Sequence, residues 1–108
     1  MELHAERMPE FMKPYIAIVH KDPDSAYGLT FPDAPGCFSA ADDMDDLFAN
    51  AAEAIALWTE AMTADREAIP PPRDLSELKR DPEWAESFAD AALVIAVAPP
   101  ASLTRNAA

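Results

Sequence analysis

The chain has 108 residues, half of them apolar, with 20 acidic against 8 basic side chains and a formal net charge of −12. That length holds one small α+β domain and excludes helical layers on both faces of a wide sheet, while the apolar fraction excludes disorder along the whole length. The charge argues against DNA binding by this chain alone, because such a field repels phosphate backbones and favours a basic partner, or serves solubility only.

From the N-terminus, Glu2, Glu6 and Glu10 fall where a secretory signal needs an apolar core. Residues 1–13 show no period and are expected to be flexible. Tyr15-Ile16-Ala17-Ile18-Val19-His20 is apolar on both faces, as a central strand is. Asp22-Pro23-Asp24-Ser25 is a turn by composition, and Ala26 to Phe31 alternates with Tyr27, Leu29 and Phe31 on one side. These two runs predict an antiparallel hairpin. Phe31-Pro32-Asp33-Ala34-Pro35-Gly36-Cys37 then reads as a tight corner into a short third strand, about Cys37 to Ala40.

Asp43 suits a helix N-cap, Asp46 stands at the capping-box position, and the aspartates 42, 43, 45 and 46 favour the positive end of the helix dipole. Met44, Phe48, Ala51, Ile55, Trp58 and Met62 recur at helical spacing, with Leu47, Ala54 and Ala61 widening the stripe. That face is predicted to pack on the sheet, with Asn50, Glu53, Glu60 and Leu57 on the solvent side. Ile69-Pro70-Pro71-Pro72 ends the helix. Short helical turns are expected in Asp74–Leu78 and near Trp84, and Ala91 to Val97 reads as a fourth strand in the core that Pro99 stops.

A right-handed helical crossover after three antiparallel strands would bring the fourth strand in parallel beside the first. The expected fold is therefore α+β with a small mixed sheet of order 3-2-1-4, three strands antiparallel and one parallel. A single helix would leave the second sheet face partly bare, and self-association into a homodimer or higher homo-oligomer would cover it.

The chemistry-bearing residues are sparse. A two-metal nuclease built on such a sheet needs carboxylates at the strand centres, and neither Tyr15–Val19 nor Ala91–Val97 contains one. The aspartates 22 and 24, and those at 42 to 46, lack the spacing of a calcium loop and are better explained as turn and cap residues. His4 and His20 are isolated, Cys37 reads as a small buried filler, and two glycines are too few for a phosphate loop. No catalytic residue, metal site or cofactor is expected. One cysteine points to no oxidising compartment, and no run approaches a membrane span, so cytoplasm is the expected location.

Taken together, Tyr15-Ile16-Ala17-Ile18-Val19, Tyr27-Gly28-Leu29-Thr30-Phe31-Pro32-Asp33, Pro35-Gly36-Cys37-Phe38-Ser39-Ala40, Asp42 to Asp46, Asn50-Ala51, Glu53-Ala54 and Ile69-Pro70 resemble the N-terminal domain of HicB-type antitoxins of type II toxin-antitoxin systems. The resemblance implies a partial ribonuclease H fold without its active site. It also implies that the chain binds and neutralises a HicA-type toxin, a small basic messenger-RNA-cleaving protein. On charge, the contact is expected among Asp33, Asp42, Asp45 and Glu53. The HicB-like domain is expected over residues 14–98, with residues 99–108 flexible and no C-terminal DNA-binding module of the kind that full-length family members carry. The alternative is a solitary HicB-like acidic module that binds some other protein, with no toxin partner.

Overall fold

The computed structural model describes residues 13–100. The expectations for residues 1–12 and 101–108 lie outside the described residues. The described elements are β1 (Tyr15–Lys21), β2 (Tyr27–Thr30), β3 (Phe38–Ala41), α1 (Met44–Ala64), α2 (Leu75–Arg80), a 3₁₀ turn (Pro82–Trp84), α3 (Ala85–Ala89) and β4 (Leu93–Val97).

The sheet has the expected order, β3-β2-β1-β4. Residue alternation decides which side chains meet. Tyr15, Ala17 and Val19 of β1, Leu29 of β2, Ala41 of β3 and Ile95 and Val97 of β4 share one face and form a core with Phe31, Ala34 and Cys37. Onto that face α1 lays Leu47, Ala51, Ile55 and Trp58, all buried. Each large aliphatic side chain so enclosed contributes roughly 1.5–3 kcal/mol. Asp43 caps α1, its Oδ1 accepting from the Asp46 N–H at 3.0 Å.

The expected parallel strand is not found, and the sheet is antiparallel throughout: β4 pairs with β1 from Tyr15 opposite Val97 to Val19 opposite Leu93. The reason lies between α1 and β4. The proline run leaves α1 at the Tyr15 end of β1, where the Tyr15 hydroxyl donates to the Pro70 carbonyl at 2.6 Å. The chain then travels through α2, the 3₁₀ turn and α3 to the opposite end, where His20 Nε2–H donates to the Ser87 carbonyl at 3.0 Å and the Ala92 N–H donates to the Val19 carbonyl at 2.7 Å. A second traverse along the sheet reverses the direction in which β4 enters. β4 is also an edge strand, buried at Ile95 and Val97 and exposed at Ala96, rather than an interior one.

That second traverse changes the argument from a bare sheet face. Ile18, which alternation turns away from α1, and Leu78 of α2 are both fully buried yet lie outside the main core cluster. Ile18 is thus buried within the single chain, so self-association is not needed to shield it, and the His20–Ser87 hydrogen bond holds α3 at one end of β1.

The buried stripe of α1 is rotated from the expected one. Leu47, predicted at its margin, lies at its centre with no exposure, while Met44 and Phe48 are 41% and 53% exposed and Ala61 is exposed. The helix continues only to Ala64, where Arg66 adopts a left-handed conformation (φ 60°). The Glu67 N–H then donates to the Met62 carbonyl at 2.8 Å and the Arg66 N–H to the Thr63 carbonyl at 3.0 Å, a Schellman closure with arginine where glycine is usual.

Candidate protein-binding surface

The corner Phe31–Cys37 is held from three sides. Its turns close through Ala34 N–H to the Phe31 carbonyl at 3.1 Å and Cys37 N–H to the Ala34 carbonyl at 3.0 Å. Gly36 takes φ 86°, a region that costs a side-chain-bearing residue energy. Trp58, edge-on to Tyr15 with ring centroids 5.9 Å apart, reaches across from α1 and donates Nε1–H to the Pro35 carbonyl at 2.9 Å. Burial pushes the Cys37 thiol up to about 11, as befits a core filler rather than a nucleophile.

Asp33 is the third tie. Its carboxylate accepts the Arg73 backbone N–H at 2.6 Å and the Arg73 guanidinium at 2.9 Å, and that guanidinium also meets Asp81 at 3.1 Å. These are charge-assisted bonds in a fork geometry that suits arginine. Only 10% of the Asp33 side chain is exposed. The Glu83 N–H and then Arg73 hold the Asp81 carboxyl below the ordinary aspartate value. Burial, reinforced by the nearby Asp33 charge, pushes the Tyr15 hydroxyl up to about 12.

The other three acids singled out on charge are exposed. Asp42 and Asp45 stand together at the start of α1, and Glu53 lies two turns further along the same helix. Asp33 is not with them. Asp46 and Glu60 add to the acidic surface of α1, and the helix contains no lysine, arginine or histidine. Among the described residues, the ion pairs join Lys13 to Asp74 and Arg73 to Asp33 and Asp81, and none reaches the acids of α1.

Apolar side chains accompany this charge. Phe38 is 68% exposed and Leu57 58%. The sequence places Phe38 in a short third strand but does not by itself say which face it takes. The signal that finds it is parity: with Ala41 turned to the core, Phe38 must face the other way. Among the described residues, no three or more histidine, cysteine, aspartate or glutamate side chains converge as metal ligands would.

Residues 15–106 match the family model of the HicB-like antitoxins of bacterial toxin-antitoxin systems. The chain belongs to that family. Its fold is similar to the antitoxin HicB of Burkholderia pseudomallei, with a TM-score of 0.66 and 35% identity over 84% of this chain and 65% of that one. It is also similar to a chain of the HicA3 and HicB3 toxin-antitoxin complex, with a TM-score of 0.63 and 29% identity over 80% of this chain and 96% of that one. A curated relative is an uncharacterised 14.9 kDa protein from the rep-hol intergenic region of Haemophilus phage HP1, 35% identical over 63 residues, or 58% of this chain. The match spans about half of that relative, 47% of its length. Among the described residues of this HicB-like chain, no helix is long and apolar enough to cross a membrane.

Proposed function

We propose that this HicB-like chain is an antitoxin that binds a HicA-type messenger-RNA-cleaving toxin and blocks it by contact, with no catalysis of its own. The observation that carries the reading is α1. Its exposed surface bears Asp45, Asp46, Glu53 and Glu60 with no base on the helix itself and no ion pair to them among the described residues, and Asp42 stands beside its first turn. An uncompensated acidic surface accelerates encounter with a cationic protein and repels that protein's RNA substrate. The family membership and the likeness to a chain of a solved HicA3 and HicB3 complex support the same reading. The contact set on this reading is Asp42, Asp45 and Glu53. Asp33 instead serves the fold by tying the corner to Arg73.

The test is cleavage of a messenger RNA by a purified HicA-type toxin, with and without an equimolar amount of the chain. Cleavage is expected to stop and a stable complex to form. Undiminished cleavage sinks the proposal and leaves an acidic module with a different protein partner.

A further inference from the structure

Two hydrogen bonds fix how α1 lies along β3. Asn50 Nδ2–H donates to the Ala40 carbonyl at 2.9 Å, and Trp58 Nε1–H donates to the Pro35 carbonyl at 2.9 Å. Residue number rises along the helix as it falls along the strand, so α1 runs antiparallel to β3. Leu57 follows Asn50 by two turns on the same flank of the helix, which places it beside the start of β3. Phe38 stands on the opposite face of that strand, so the two most exposed large apolar side chains straddle one sheet edge.

The edge itself is partly closed. β3 is a terminal strand of the sheet, and Asn50 occupies the Ala40 carbonyl from its free side. Strand parity turns the main chain of Phe38 toward that same side. An edge strand left with unpaired main-chain groups between two exposed apolar side chains is a template for an incoming chain.

Charge selects the occupant. The α1 flank that carries Asn50 and Leu57 also carries Asp46 and Glu53, and Asp42 and Asp43 follow the end of β3. Two copies of this chain meeting edge to edge would bring two such unneutralised flanks together, which is repulsive. A protein with a cationic surface meets complementary charge on both sides of the apolar pair.

From this geometry we infer that the β3 edge, anchored by Phe38 and Leu57 and rimmed by Asp42, Asp46 and Glu53, is the docking surface for a cationic protein partner. The inference rests on the antitoxin reading and narrows its contact set: Asp46 shares the flank of Asn50, Glu53 and Leu57, whereas helical spacing turns Asp45 toward Met44 and Phe48. Met44 and Phe48 are exposed on the other flank of α1 and take no part.

The test is the affinity of the full chain for the HicA-type toxin, measured by calorimetry for the wild type, the Phe38→Ser/Leu57→Ser double variant and Phe48→Ser. All three side chains are exposed, and melting curves check that each variant folds. The double variant is expected to bind at least tenfold more weakly and Phe48→Ser within twofold of wild type. Amide exchange at Phe38 and Ala40 in the wild-type complex gives a readout free of substitutions and is expected to slow on binding. If the wild type binds while the double variant binds equally well, or while those amides exchange unchanged, the docking surface is wrong and the antitoxin reading stands. If the wild type does not bind the toxin, both fall together.

Discussion

Arg66 and Gly36 occupy the same unusual region of backbone space with opposite chemical suitability. Gly36, at φ 86°, has no side chain to strain, whereas Arg66, at φ 60°, holds a left-handed conformation that a Cβ disfavours. Arg66→Gly is expected to raise stability by about 0.5–1 kcal/mol and Gly36→Ala to lower it by about 1 kcal/mol, both measured by chemical denaturation. Nothing lies within 4 Å of a Cβ built on Gly36, so the cost there is conformational and not steric. Asp33 makes the other residue-scale prediction. Asp33→Asn weakens every bond to Arg73 by removing the charge, and a loss of about 2 kcal/mol is expected without loss of secondary structure.

Two linked titrations follow at the same scale. The Asp81 carboxyl is held below its ordinary 3.8 by the Glu83 N–H and by Arg73. Its stabilisation is present above 3.8 and is lost as pH falls through the lower folded value. Tyr15 is raised from 10.0 to about 12 because its neutral form is the buried one. Stability is therefore complete below pH 10 and falls as pH climbs toward 12, a decline that Tyr15→Phe should reduce in melting curves. The role of Asp33 was not legible beforehand, since an aspartate in a proline-glycine corner resembles any surface turn acid. Its partner lies 40 residues on, and no local pattern announces such a pairing.

At the scale of elements, the sequence marked seven of the pieces well. Strand residues, the Asp43 cap and the short helical turns follow from local preferences that tertiary structure leaves intact, whereas α1 ends at Ala64 through the Arg66 closure and not at the prolines 70–72. The errors are of another kind. The periodicity of α1 identified a helix but admitted stripes centred on either Met44-Phe48 or Leu47-Ala51, and only packing against the sheet selects the second. The direction of β4 was equally illegible, because Leu93–Val97 reads the same whether its neighbour runs with it or against it. Trp58 belongs to both stripes, which makes it the firmest test of the element. Trp58→Ala is expected to cost about 3–5 kcal/mol in denaturation, through lost contact with Tyr15 and an unpaired Pro35 carbonyl. Leu57→Ala, on the exposed side, should change stability by less than about 0.5 kcal/mol.

For the molecule as a whole, a charge of −12 acts over distances that single contacts do not. Association with a cationic toxin is expected to slow by roughly tenfold or more as ionic strength rises from about 0.05 to 0.5 M, with little change in the dissociation rate. Stopped-flow mixing at several salt concentrations measures this directly. A flat dependence would remove electrostatic steering from the account.

The pairing of β4 with β1 also sets an order in time. Hairpin partners β1 and β2 are near one another in the chain, yet the other edge of β1 is sealed only by a strand that is synthesised last among the described elements. Until Leu93–Val97 leaves the ribosome, Tyr15–Lys21 remains an open apolar edge, able to template association with other unfinished chains. Proteolytic loss of the segment that carries Leu93–Val97 would reopen the same seam, so the life of the folded protein depends on its first and last described strands staying joined.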